Sequence, residues 1–239
     1  MKMYRIILVS ALAVAVVFTG VLSGIRLLEA REAAALSQQP VTVVIDAGHG
    51  GEDGGATSVS GVLESRINLE IAQRMDDFLA LVGYQTVMVR DRDTAIYDAS
   101  ASTISEKKVS DLKNRVKLVN STVHPLLLSI HQNLFTNSQY AGAQVFYAKT
   151  DGSKELAEQT QQLLIDTVDP GNHRQAKPAD TVYLMNNIQC TGMLVECGFL
   201  SNRDEDLRLQ SPGYQKKLTV AIGGSIATWV HEGYGMNEV

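Results

Sequence analysis

From Val41 to Gly233, short apolar runs rich in β-branched residues take turns with longer stretches of helical period, a pattern compatible with few architectures. "VTVVID" (41–46), "QTVMVR" (85–90), "PLLLSIH" (125–131), "GAQVFYA" (142–148), "TVYLM" (181–185) and "GMLVECGF" (192–199) read as strands. Residues 65–84, 109–121, 153–168 and 213–233 read as helices; in the first, Ile67, Ile71, Met75, Phe78, Leu79 and Val82 recur near helical period and Gly83 supplies a stop. Residues 91–107, rich in Ser, Asp, Thr and Ala and without period, read as a loop. Alternation of this kind predicts an α/β fold with a mostly parallel sheet. In such sheets chemistry gathers at the carboxyl ends of the strands. That rule directs attention to His49 just past the first strand, His131 at the end of the third and Glu196 near the end of the last.

The N-terminus is of another kind. Lys2 and Arg5 precede an uncharged stretch, "IILVSALAVAVVFTGVLSGI" (6–25). About 20 apolar residues suffice to cross a bilayer as a helix, and the preceding charges favour a cytoplasmic N-terminus. The expected organisation is a signal-anchor or signal peptide over 1–25, a polar tether over 26–40 and a globular domain over 41–234. "EAAALS" offers small residues to a signal peptidase. Anchored or cleaved, the domain is expected on the outer face of the membrane. With 239 residues and 45% hydrophobic content, the chain suits one domain of about 200 residues plus this appendage. A net charge of −5 and the absence of a basic stripe argue against a nucleic-acid partner. The two cysteines, Cys190 and Cys197, form no CxxC; they flank a stretch read as strand and are expected as packed thiols.

The stretch "VVIDAGHGGEDGG" (43–55) admits two chemistries. A dinucleotide-type glycine loop opens a helix directly after a strand. Here the next helix starts only near residue 65, no GK[ST] follows, and Glu52 and Asp53 would repel phosphate. Catalytic zinc sites take three protein ligands from His, Glu, Asp or Cys and leave a position for water. His49, Glu64 at the start of the next helix, and His131 in "LSIHQN" are candidates at strand or helix ends. His124 before Pro125, His173 in a polar loop and His231 at the end of the last helix lack such settings and read as structural or exposed. A metal-activated water needs a base. Glu196 lies inside an apolar run, where a carboxylate is either paired, for instance with a core Arg, or bound to a metal or poised for proton transfer.

Four stretches, "VVIDAGHGGEDGGA", "GVLESRINLEIA", "LLSIHQN" and "MLVECGFLSN", in this order, resemble the signatures of the zinc-dependent N-acetylmuramoyl-L-alanine amidases, the Amidase_3 family, over roughly residues 41–232. The resemblance implies that His49, Glu64 and His131 bind Zn2+ and that Glu196 is the catalytic glutamate. It implies a single domain with a twisted, mostly parallel sheet of about six strands flanked by helices, acting on peptidoglycan glycan strands with stem peptides. Within the family the chain is most similar to the CwlD group, amidases that prepare spore-cortex peptidoglycan for muramic δ-lactam formation. The short build, the hydrophobic N-terminus and the absence of a wall-binding repeat carry that similarity, which implies the forespore or cortex side as location.

Two positions depart from the family pattern, Gln132 and Cys197, and are expected to shape the substrate groove. Gly48, Gly50 and Gly51 are expected to let the loop turn tightly, so that His49 aims inward. Glu52 and Asp53 read as solvated loop charges. Asp46 either orients His49 or caps a turn; Asn68 and Asn133 have no settled role, and Arg115 reads as a structural ion-pair partner. Two other functions fit the same residues: a non-catalytic wall-binding or scaffold protein, and a zinc peptidase cutting within the stem peptide. A three-ligand site also leaves room for an accessory protein that steadies the metal.

Overall fold

Strand β1 (Thr42–Ala47) is buried at all six positions. Its Val43, Val44 and Ile45 are β-branched and favour pleated backbone, and burial on both faces marks a central strand of a covered parallel sheet. The computed structural model, which describes residues 40–233, places β1 in a six-stranded sheet. The order is β2 (Gln85–Met88), β1, β3 (Pro125–Asn133), β6 (Gly192–Phe199), β4 (Gln144–Tyr147) and β5 (Lys177–Pro178). All neighbouring pairs are parallel except β4 with β6. The α/β expectation is therefore met. Segment 1–25 and the tether up to residue 39 lie outside the described residues; among those described, no helix is long and apolar enough to cross a membrane.

The winding positions the site. From β1 the chain passes through α1 (Glu64–Leu81) to β2 on one side, then returns through α2 (Ile104–Ser121) to β3 on the other. The strand order reverses between β1 and β3, and at such a switch point the two connections part and leave a crevice beyond the carboxyl ends. His49 follows β1 and His131 lies near the end of β3, so both border that crevice.

The two faces of the sheet differ. On one, Ile67, Ile71, Met75 and Leu79 of α1, each at most 1% exposed, pack with Val43, Ile45, Leu128, Ile130 and Val195. Fully burying each such side chain contributes roughly 1.5–3 kcal/mol before chain entropy is counted. Helices α3 (Ser153–Thr167) and α6 (Pro212–His231) complete this layer. On the other face Val44, Leu127 and Leu194 meet α2 and the five-residue α4 (Tyr183–Asn187). Strand alternation puts Asp46, Ser129, His131 and Glu196 on this second, more thinly covered face.

Several elements depart from the sequence reading. "TVYLM" (181–185) is not a strand: α4 starts within it, and Leu184, Met185 and Ile188 turn one helical face into the core. A short apolar run has no period that separates strand from helix. The sixth strand is instead the two-residue β5, too short to leave a pattern. Helix α2 starts at residue 104, inside the stretch read as loop, and Thr103 and Glu106 form a capping box at its start; the T-x-x-E spacing was visible in the sequence. Helix α5 (Arg203–Leu209) was not anticipated, although Asn202 caps it and three acids fill its first turn.

Candidate metal centre

Three side chains from three elements converge at the crevice. Ligand atoms of His49, Glu64 and His131 all lie within 4.8 Å of one another. His49 sits in the β1–α1 loop, Glu64 is the first residue of α1, and His131 points from β3 toward it. Glu64 Oε1 stands 3.0 Å from His131 Nδ1, and Oε2 stands 3.4 Å from His49 Nε2. Burial works against the Glu64 charge, but the two imidazoles hold its carboxyl far below the ordinary range. Backbone N–H groups of Ala56 and Gln132 donate to it as well, and the N-terminal end of a helix favours an anion. Gln132 N faces the β1 side of β3 but lies past the end of that pairing, which stops at Ala47 with Ile130, so it meets the Glu64 carboxylate instead of a strand carbonyl.

The donor set suits a borderline-soft divalent cation such as zinc: two imidazoles and one carboxylate. His49 Nδ1 lies 3.0 Å from Asp53 Oδ2, which orients the ring and leaves Nε2 toward Glu64. Burial opposes protonation of His49, yet Glu64 and Asp53 together push its pKa up. Asn68 Nδ2 donates to Glu64 Oε1 and to Gly48 O, so a side chain one turn along α1 braces both the carboxylate and the loop. Gln132 Nε2 in turn donates to Asn68 Oδ1.

The loop that carries His49 is held by two buried arginines. Arg90 Nε donates to Ala47 O, and its Nη2 donates to Gly48 O and Ser65 O, at 2.7–3.0 Å. Arg115 donates to Ala47 O and His49 O and pairs with Asp46 and Asp111. This bracing sustains a strained backbone: His49 has φ 60, a left-handed conformation costly for a residue with a Cβ. The loop glycines divide the work. Gly50 and Gly51 have φ 136 and 59 and permit the turn, as anticipated. Gly48 does not have positive φ; a Cβ there would lie 2.2 Å from His131 Nε2. Gly48→Ala is therefore expected to displace the His131 ring and to weaken any divalent metal held by His49, Glu64 and His131 by roughly tenfold or more, read by metal titration of purified protein.

Glu196 stands beside this group. It pairs in register with His131 across β3 and β6, so the two side chains share a face. Its Oε2 is sealed from solvent and has no hydrogen-bond partner. Burial, with a smaller push from the Glu64 charge, raises its pKa to about 7. No core arginine pairs with it among the described residues, so the salt-bridge alternative does not hold. A carboxyl near neutrality, beside a metal-capable triad and in a crevice, is equipped to take up and release a proton.

Other expectations change. Asp46 neither orients His49 nor caps a turn: fully buried on the sheet face, it binds Arg115 and accepts from Ser129 Oγ at 2.6 Å. Asp53, read as a solvated charge, is the residue that orients His49. Glu52 is an exposed loop charge paired with Lys107. Arg115 is the ion-pair partner anticipated. Cys197 is fully buried in the core and Gln132 is 4% exposed, so neither forms the wall of an open groove. Both cysteines are free. Arg90 and Asn68 acquire roles the sequence reading did not assign. Arg90 did carry a signal, a charge closing the apolar run "QTVMVR" (85–90).

Comparison with known proteins bears on the same region. The family model described as N-acetylmuramoyl-L-alanine amidase matches residues 43–228. The germination-specific N-acetylmuramoyl-L-alanine amidase of Bacillus subtilis (strain 168) is 36% identical over 191 residues, covering 80% of each chain. Among solved structures, the CwlD amidase from Clostridioides difficile in complex with the GerS lipoprotein superposes with TM-score 0.77 at 35% identity, over 80% of this chain and 99% of that one. An N-acetylmuramoyl-L-alanine amidase from Clostridium difficile 630 gives TM-score 0.71 at 29% identity, over 81% of this chain and 98% of that one.

Proposed function

Because the chain belongs to the N-acetylmuramoyl-L-alanine amidase family, which acts on peptidoglycan, we propose that it works through zinc held by His49, Glu64 and His131, with Glu196 as the proton carrier. The observation that carries this reading is the clustering of the three donors within 4.8 Å beside Glu196, a half-buried carboxyl whose Oε2 is sealed from solvent and has no hydrogen-bond partner. When bound, zinc supplies a Lewis acid that polarises the scissile carbonyl and acidifies water toward neutrality. Glu196 accepts the proton of the attacking water and returns it to the departing nitrogen of L-alanine, so the amide C–N bond breaks as the new C–O bond forms. Asp53 and Asn68 keep His49 and Glu64 aimed, and Arg90 and Arg115 keep the His49 loop in its strained conformation.

We further propose the finer biological setting. Residues 1–25 deliver the chain to the outer face of the membrane and 41–234 form the catalytic domain. The likeness to a germination-specific amidase supports action on spore-cortex peptidoglycan ahead of muramic δ-lactam formation. The CwlD amidase was solved together with the GerS lipoprotein, and that pairing supports our reading that an accessory protein binds this chain.

Digestion of purified peptidoglycan tests the chemistry. The expected product is an intact stem peptide with a free L-alanine amine, identified by mass spectrometry; a chelator stops its release and added zinc restores it. Fragments cut within the stem would reassign the chain to peptidase chemistry. Binding without release would leave only a scaffold.

A further inference from the structure

On the β4 side of Glu196 lies a cation that no other part of the site uses. Gln144 of β4 pairs in register with Glu196, which pairs with His131, so three polar side chains form a row across β3, β6 and β4. Gln144 Oε1 accepts from Arg174 Nη1 at 3.2 Å, which places the guanidinium next in line after Glu196 and Gln144. Arg174 is held firmly. Its Nε donates to Ala141 O at 2.8 Å, its backbone N–H donates to Asn172 Oδ1 at 3.0 Å, and its guanidinium lies 4.4 Å from the centre of the Phe199 ring. Tyr140 stacks on Phe199, and Glu205 accepts from the backbone N–H groups of Gly142 and Phe199, so the platform itself is pinned.

Among the described residues no carboxylate pairs with Arg174, and Nη2 makes no hydrogen bond. The other side of the metal centre differs: Lys107 is bound to Glu52 and Lys108 to Asp53. In a chain of net charge −5, an ordered arginine without a carboxylate partner, one side chain beyond Gln144 in the row from Glu196, is suited to receive an anion. Its planar fork matches a carboxylate, and because stacking already orders it, little side-chain entropy remains to be lost on binding.

We propose that Arg174 is a specificity-determining residue that receives a stem-peptide carboxylate close to the scissile alanine. Stems with that carboxylate free are then preferred over stems in which it is amidated. This rests on the amidase reading above, since Glu196 marks where the amide is cut. The alanine end of the substrate therefore extends toward β4.

Two measurements on the full-length protein separate the ideas. The first compares kcat/KM on muropeptides that differ only in amidation of that carboxylate. Wild type is expected to favour the free acid by about tenfold to a hundredfold, carried by KM, as loss of a charged hydrogen bond implies. The ratio should approach one in Arg174→Gln and fall in between for Arg174→Lys, which keeps the charge but not the fork. The second is calorimetric binding of the released stem peptide as acid and as amide, which requires no turnover. Cleavage without discrimination in wild type, or discrimination that survives in Arg174→Gln, overturns the role of Arg174 and spares the amidase reading. Discriminating binding without cleavage does the reverse. Should Arg174→Gln not fold, the wild-type ratio and Arg174→Lys decide the matter.

Discussion

On the proposed mechanism, Glu196→Gln is expected to lower release of stem peptide by about 10²–10⁴-fold, the usual contribution of a positioned acid–base group, while metal content stays at the wild-type value. Glutamine keeps the shape of the side chain and cannot accept the proton. The same change should act on the fold in the opposite direction. Burial raises the pKa of Glu196 to about 7, well above its unfolded value, so folding favours the protonated form. A group of this kind supports the fold below its unfolded pKa, and that support disappears as pH rises through the folded value. In metal-free protein, Glu196→Gln is therefore expected to unfold at higher urea than wild type above pH 7, with the two curves converging below about pH 4. Equal turnover in the variant, or a loss of zinc that parallels the loss of activity, would remove Glu196 from the role of proton carrier.

Arg115→Met has the largest expected effect on stability, about 3–5 kcal/mol, because it strands one half of a buried ion pair. Arg115 is 2% exposed; it binds Asp46 and Asp111 and donates to the carbonyls of Ala47 and His49. Removing it leaves Asp46 charged in the core with Ser129 as its remaining side-chain donor. The pH dependence gives the mechanism away. Burial alone would raise the pKa of Asp46, but Arg115 and Ser129 hold it below its ordinary value. The pair's contribution is thus complete above the unfolded pKa of about 3.9 and is lost as pH falls through the lower folded value. Without the guanidinium, burial dominates and the sign reverses, so the gap between wild type and Arg115→Met should be widest near neutrality and narrow below about pH 4. Urea titrations over that range read it directly. A gap independent of pH would point to lost packing of the Arg115 stem instead.

Local periodicity and residue chemistry were legible from the chain alone. The β-branched run of β1, the helical recurrence of Ile67, Ile71, Met75 and Leu79, and two histidines and a glutamate at element ends were enough to expect an α/β fold and to nominate His49, Glu64, His131 and Glu196. Tertiary structure alone decided which polar groups meet. Nothing local distinguishes Asp46 from Asp53 as the partner of His49; strand alternation turns Asp46 onto the sheet face toward Arg115, 69 residues away, while a tight loop folds Asp53 back onto the imidazole. Gly48 resembles any turn glycine until β3 brings the His131 ring against it. Arg174 looks like a loop charge until the antiparallel β4–β6 register sets Gln144 beside Glu196. Period and propensity act over a few residues and leave their mark in the sequence, whereas hydrogen-bond partners are matched by sheet register, which exists only once the layers have packed.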